Sequence, residues 1–255
     1  MFTLEDGLDE NWGPDWIQDT YQDYDVEERI GATKPLTKRK YKNLVGRAQN
    51  ASESSSQASR RMTLEFAESM NIQRDIIYKE RNRLIKQEGR LDVIVEQIVR
   101  EVFMRVADNK DYIDPIAFYR YILDNVSYQV DPQTTHRSFR SKKTKKNFLW
   151  EIAQRELEAK YEILGTDEVI AQFQRMAILK AIDENWVEQV DYLQQLRAAL
   201  SGQYASQKNP LVEFFQEAYQ SFERMKEAAK EQMVRNLLLS RVEINKKGEI
   251  VLHFP

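Results

Sequence analysis

The side chains able to do chemistry are few, and their spacing excludes more than it permits. The chain has two histidines, His136 and His253, and no cysteine. Disulfides, thiolate metal sites and a cysteine nucleophile are therefore excluded, and a histidine-based metal centre has little to build from. The eight glycines stand at positions 7, 13, 31, 46, 89, 165, 202 and 248, too scattered for a phosphate-cradling G-x-x-x-x-G-K-[ST] loop or a dinucleotide G-x-G-x-x-G turn. Adjacent acidic pairs such as Glu5 with Asp6 and Asp183 with Glu184 diverge by about 100° on a helix, so they make no carboxylate dyad. Neither histidine lies near a strand-turn-helix nucleophile signature. These residues describe no autonomous enzyme, and no catalytic, cofactor or metal residue is assigned.

Three stretches carry binding chemistry instead. SGQYASQKNP, residues 201–210, places one aromatic ring, Tyr204, in a turn whose backbone needs are already met by Gly202, Asn209 and Pro210. RSFRSKKTKKNF holds six basic residues within positions 137–146; it reads first as a solvated loop and second as a site for anionic lipid or an acidic partner. In IQRDIIYKERNRLI, residues 72–85, Arg74, Tyr78 and Arg81 share a helical face beside an apolar one of Ile76, Ile77 and Leu84. Two such faces suit a central scaffold, with simply solvated arginines as the equal alternative.

The elements that position these stretches are helical. The 255 residues are 42% hydrophobic and 31% charged, with 38 basic and 41 acidic side chains, the balance of a soluble helical protein with no global field to attract nucleic acid. No apolar run approaches the 18 or so residues of a membrane span, and MFTLEDGLDENWG does not resemble a signal peptide, so a cytosolic place is expected. From position 38 to about 85, Met62, Phe66, Met70, Ile77 and Leu84 recur at helical spacing, predicting one very long helix. Its Ser-rich piece NASESSSQAS, residues 50–59, reads from composition as either a flexible linker or a solvated helical turn. Residues 90–160 form short packed helices, one opened by Asp114 and Pro115. Beyond Thr166 and Asp167, the stripe Ile178, Ile182, Trp186, Val190, Leu193, Leu196 and Leu200 faces its mirror, Leu211, Phe215, Ala218, Phe222, Met225, Ala229 and Met233. The two helices predict an antiparallel hairpin about 50 Å long. It reads first as a plain bundle hairpin and second as a probe holding its tip far from its base. RVEINKKGEIVLHFP predicts a closing β-hairpin with Val242, Ile244, Ile250, Leu252 and Phe254 in alternation.

The run AQNASESSSQASRRMTLEFAESMNIQRDIIYKERNRLI resembles the long scaffold helix of SecA, the motor protein of bacterial protein export. It matches at Ala48, Gln49, Arg60, Leu64, Glu65, Phe66, Met70, Asn71, Gln73, Arg74, Ile77, Tyr78, Arg81 and Asn82. A second block, IDENWVEQVDYLQQLR, is similar at Asp183, Trp186, Glu188, Leu196 and Arg197, with Gln189 and Gln194 where the family has His and Asp. A third, QKNPLVEFFQEAYQSFERM, corresponds through Gln207, Lys208, Pro210, Glu213, Phe214, Phe222 and Met225. The scaffold's Asp-Asp pair is replaced by Ala67 and Glu68, and ungapped alignment sets the family's tip tyrosine on Ala205 and its glycine on Tyr204.

The resemblance implies a mostly α fold. A motor-domain tail and linker would occupy residues 1–37, a long scaffold helix 38–89, a helical wing 90–164, a two-helix finger with its returning helix 165–240, and a β-hairpin 241–255. It implies a helical, not a linker, conformation for the Ser-rich stretch. It assigns Tyr204, Ala205, Gln207 and Lys208 to contact with a translocating chain, Arg74, Tyr78, Arg81 and Asn82 to the scaffold-to-motor interface, and Trp186, Leu196 and Phe222 to packing of the finger helices. It implies partners: a SecY-type channel, the motor portion of SecA, an exported preprotein such as a serine-rich glycoprotein adhesin, and accessory Sec proteins, without nucleic acid. The motor portion would hold ATP and Mg, none of which this chain binds, and the whole would work at the inner face of the cell membrane. Without the cysteine-containing zinc tail of housekeeping members, the chain is similar to an accessory type from Gram-positive bacteria, as a split product or fragment. The alternative from another class is a non-catalytic helical adaptor that holds a partner protein on its hairpin.

Overall fold

The computed structural model describes residues 44–112, 114–139, 141–201, 210–246 and 249–255. The chain divides into two compact units, Met1–Glu68 and Ser69–Pro255. Helix α1, Leu44–Lys86, carries the first unit's described residues and opens the second. The Ser-rich stretch is helical within it, as the resemblance implies, and every side chain from Glu53 to Arg61 is exposed. Serine loses only a few tenths of a kcal/mol per residue against alanine in a helix, a cost that long helical flanks absorb.

In the second unit the chain continues as α2 (Asp92–Asp108), a single 3-10 turn (Lys110–Tyr112), α3 (Pro115–Asn125), α4 (Pro132–Ser138) and α5 (Lys142–Leu164). Next come α6 (Asp167–Ser201) and α7 (Pro210–Leu239), then β1 (Arg241–Ile244) and β2 (Ile250–His253). Local chemistry sets several boundaries. Asp114 caps α3 by accepting from the Ala117 amide at 3.1 Å, with Pro115 in the first turn. Ser141 and Thr144 form a reciprocal capping box at the start of α5, and Gly165 ends that helix with φ +78°.

That capping box corrects the reading of RSFRSKKTKKNF as a solvated loop: its first residues end α4 and its last seven open α5. Lys145 is buried there, its Nζ donating to the Tyr112 carbonyl at 2.8 Å and lying 3.8 Å from the Phe139 ring centroid. Carbonyl and π-face together hold the charge that burial disfavours, and burial chiefly lowers its pKa.

The core forms where the end of α1, helices α2, α3 and α5, the start of α6 and the end of α7 converge. Leu84, Leu91, Phe103, Phe118, Ile122, Leu149, Phe173 and Ile178 are fully buried in it. Ile77 and Leu84 face this core, whereas Ile76, expected beside them, is 50% exposed: a single-residue step turns a side chain about 100° away.

α6 and α7 run antiparallel, as predicted. Asn236 donates to the Ala177 carbonyl near the base and Tyr192 to Glu217 further out. Their apolar faces zip through Leu193, Leu200, Ala218, Phe222 and Met225. One expected position is corrected: Phe214 is fully buried and Phe215 is 40% exposed, so the stripe steps four residues from Phe214 to Ala218. β1 and β2 pair antiparallel with Val242 opposite Leu252, and Phe254 stacks on Phe173 of α6. Ile244, expected to face inward, is 60% exposed because only Val242 of β1 reaches the core.

Candidate functional site

The second unit concentrates its buried polar chemistry where α1 meets α6 and α7. Gln189 of α6 is 4% exposed, and its Nε2 donates to Gln73 Oε1 at 3.1 Å and to Ser221 Oγ at 2.9 Å. Gln73 in turn donates to the Ala218 carbonyl at 3.0 Å, and the Ser221 hydroxyl to the same oxygen at 3.1 Å. Three helices are thus joined by two side-chain amides and one hydroxyl, through Gln189 Nε2, both polar atoms of Gln73 and the Ser221 hydroxyl. A buried amide without such partners would cost about 1–3 kcal/mol, so the arrangement favours one relative placement of the helices.

Two more rungs extend this contact. Arg81 grips Asp183 through two nitrogens, Nε to Oδ1 at 2.8 Å and Nη2 to Oδ2 at 3.1 Å. Arg175 of α6 donates to the carbonyls of Leu84 at 3.2 Å and Gln87 at 2.7 Å, capping the C-terminal end of α1 with a cation where the helix dipole is negative. From Gln73 to Gln87 is fourteen residues along one strand of this ladder, and from Gln189 back to Arg175 is fourteen along the other. The two helices therefore keep step, antiparallel, over about 21 Å.

A groove of about 510 Å³ runs beside the amide cluster, lined among others by Asn185, Glu188, Tyr192, Gln195 and Arg224. The Tyr192 hydroxyl donates to Glu217 Oε1 at 2.7 Å. That hydrogen bond, followed by the Arg224 guanidinium, holds the Glu217 carboxyl below its ordinary value.

Of the residues assigned from sequence, Tyr204, Ala205, Gln207 and Lys208 lie outside the described residues. Arg74, Tyr78 and Asn82 are exposed along one side of α1, with Tyr78 48% exposed, whereas Arg81 turns inward to Asp183. Phe222 of α7 is buried, and Trp186 and Leu196 of α6 are half-buried. Sequence reasoning missed Gln73, Gln189, Ser221 and Arg175. Two signals were available: the resemblance, in which Gln73 is a matching position and Gln189 a departure, and a polar residue interrupting an apolar stripe, at Gln73 between Met70 and Ile77 and at Gln189 between Trp186 and Leu193. Among the described residues no group of three or more acidic or histidine side chains gathers as a metal site would need, and no helix is long and apolar enough to cross a membrane.

A family model described as the SecA wing and scaffold domain matches residues 35–241. The protein translocase subunit SecA 2 of Streptococcus gordonii is 47% identical over 255 residues, all of this chain and 32% of the relative. Its counterpart in Streptococcus sanguinis is 49% identical over the same span, and that of Staphylococcus aureus strain Newman is 31% identical over 253 residues, 99% of this chain and 32% of the relative. The chain spans about a third of the length of these curated relatives.

Proposed function

The chain belongs to the SecA wing and scaffold family, and from that premise we propose that it is the scaffold, wing and finger portion of an accessory translocase, transmitting motion from a motor to a protein substrate. The observation that supports this most directly is the α1–α6 ladder. Gln73, Arg81 and the end of α1 are tied in step to Gln189, Asp183 and Arg175, so a push on α1 displaces α6 and not only the contact between them. Meanwhile Arg74, Tyr78 and Asn82 stay exposed on α1, where a motor portion would dock against a cation, an aromatic ring and an amide.

In this reading the motor portion binds ATP and Mg and does the hydrolysis. This chain supplies the lever, and the segment of residues 202–209, with Tyr204 and Lys208, touches the moving polypeptide. The partners are a SecY-type channel and an exported preprotein, for which a serine-rich adhesin and the accessory Sec proteins suit the subtype, and the assembly works at the inner face of the cell membrane. An aromatic ring among small polar neighbours suits a contact that must accept many sequences, because apolar packing does not depend on one particular side chain.

The test is reconstitution. The purified chain is expected to hydrolyse no ATP and to bind channel-containing membranes only when the motor portion of a close relative is added in trans. ATP hydrolysis by the chain alone, or membrane capture indifferent to the motor portion, would refute the proposal. Arg74→Ala with Tyr78→Ala should lower the affinity for the motor portion about tenfold or more while leaving the chain's thermal midpoint within about 2 °C, as expected for exposed positions at an interface.

A further inference from the structure

Gln189 belongs to a second surface besides the contact with α1. It lines the groove of about 510 Å³ between α6 and α7, with Glu188, Asp191 and Tyr192 of its own helix and Ser221 and Arg224 of the other. Positions 188, 191 and 192 are spaced as neighbours on one helical face, so two carboxylates and a phenol ring stand side by side there. A volume of this size holds one long side chain with its flanking backbone.

The hydrogen bonds of the amide cluster decide what the groove offers. The Ala218 carbonyl accepts both from Gln73 Nε2 and from the Ser221 hydroxyl. Gln73 Oε1 and Ser221 Oγ are therefore left as acceptors, and Gln189 has to turn its Nε2 toward them. Gln189 Oε1 then has no donor among the described residues, although the residue is only 4% exposed. Nor is that oxygen sealed in the protein: the sealed side-chain atoms without partners are on Arg90, Arg105 and Ser240. Because Gln189 lines the groove, its free oxygen opens on the floor.

The charges around that oxygen have one sign. Glu188 and Asp191 are exposed and pair with no cation among the described residues. Arg224, the one cation of the lining, is engaged by Glu217. Tyr192 gives its hydroxyl proton to the same carboxyl and adds the one aromatic ring of the lining. A matching ligand brings positive charge, several N–H donors and a flat face for the ring, which describes a guanidinium better than an ammonium.

We propose that this groove binds an arginine side chain of a partner polypeptide, its guanidinium donating to Gln189 Oε1 between the Glu188 and Asp191 carboxylates, with the Tyr192 ring as its wall. Free arginine carries a carboxylate that Glu188 and Asp191 repel, whereas an arginine within a peptide does not. The site needs neither a motor portion nor a channel, so it stands or falls separately from the translocase reading.

The test is a nuclear magnetic resonance titration of the whole isotope-labelled chain with the blocked peptide acetyl-Gly-Arg-Gly-amide at about 0.02 M salt, where screening is weak. The side-chain amide of Gln189 and the backbone amides around Glu188, Tyr192 and Arg224 should shift saturably, with half-saturation at about 1–10 mM. Citrulline in place of arginine keeps the shape and loses the charge, and should bind about tenfold more weakly. Lysine in that place, and free arginine, should each bind several-fold more weakly. Glu188→Gln with Asp191→Asn should weaken the arginine peptide about tenfold. Glu158→Gln with Glu162→Gln, the same change of charge at exposed positions of α5, should alter it by less than about twofold. No saturable shift up to about 50 mM peptide would overturn the proposal. So would a citrulline or lysine peptide, or free arginine, that binds as well as the arginine peptide, or an equal loss in the two double variants.

Discussion

Replacing Gln189 with leucine tests the three-helix junction where it is most exposed to failure. Leucine keeps most of the volume and removes one Nε2 that serves two acceptors, Gln73 Oε1 at 3.1 Å and Ser221 Oγ at 2.9 Å. Ser221 still donates to the Ala218 carbonyl, so its loss is that of an ordinary net hydrogen bond, about 1 kcal/mol. Gln73 is 6% exposed, and its oxygen would be left without a donor in a site water hardly reaches, which adds about 2 kcal/mol. The sum, about 3 kcal/mol, corresponds to a fall of roughly 6–12 °C in thermal midpoint for a unit of this size. Gln73→Leu should cost less, about 2 kcal/mol for the two hydrogen bonds it removes, because Gln189 keeps Ser221 and the Ala218 carbonyl keeps the hydroxyl. The double variant removes the stranded oxygen as well and should recover about 1–2 kcal/mol relative to the sum of the singles. Urea unfolding of the four proteins, followed by far-ultraviolet circular dichroism, measures this coupling. Additivity within about 0.5 kcal/mol, or a Gln189→Leu protein as stable as the parent, would refute the account of the junction.

Further outcomes follow from single side chains. Phe214→Ala should cost about 3–5 kcal/mol by emptying a fully buried site and Phe215→Ala well under that; equal losses in thermal melts would show that α7 is rotated from the orientation described. Glu217, held low by Tyr192 and then Arg224, contributes stability that is present above the ordinary carboxylate pKa and lost as pH falls through its lowered value. The gap in midpoint between parent and Glu217→Gln should accordingly close on acidification below about pH 4, and a gap that persists would place the effect elsewhere. Lys160, 7% exposed and donating to the Leu238 carbonyl at 2.7 Å, has its pKa lowered chiefly by burial. Its contribution to stability should rise as pH increases from that lowered value toward the ordinary lysine value, since the unfolded chain then binds the extra proton. Lys160→Met should remove this rise from the difference in midpoints between pH 8 and 10, and parallel curves for the two proteins would count against it.

The parts of the fold legible in sequence are those fixed by local periodicity and caps. The stripes of α6 and α7, the Asp114–Pro115 start of α3 and the closing β-hairpin each follow from residues within a few positions of one another. The resemblance to SecA added what composition left open, the helicity of residues 50–59. What stayed hidden depends on partners distant in sequence. Lys145 looks like one of six solvated cations until Tyr112 and Phe139 are brought to it. Phe214 and Phe215 are adjacent aromatics, and either would continue a stripe of three- and four-residue steps, so only the packing against α6 chooses between them. Gln73 and Gln189 are separated by 116 residues, and each alone resembles an ordinary polar break in an apolar face.

The same polar residues account for a property that apolar packing alone does not supply. Leucine and phenylalanine faces on two long helices make comparable contacts after a shift of one turn, about 5.4 Å. Such a shift of α1 along α6 would strand Gln73, part Arg81 from Asp183 and uncap the α1 terminus at Arg175, three losses that fall together. Each is modest: the Arg81–Asp183 pair, 33% and 48% exposed, counts for no more than about 1 kcal/mol. Their sum nevertheless falls on one coordinate, axial sliding, and leaves bending of the finger beyond Ser221 nearly unaffected. A ladder of this kind makes the base of the α6–α7 hairpin stiff along the axis of α1, while beyond Ser221 the two helices meet through apolar contacts and the Tyr192–Glu217 hydrogen bond. Variants that cut one rung should therefore loosen the α1–α6 contact before they reduce the helical content of the α6–α7 hairpin, and a rung deletion that melted the hairpin first would contradict this division of roles.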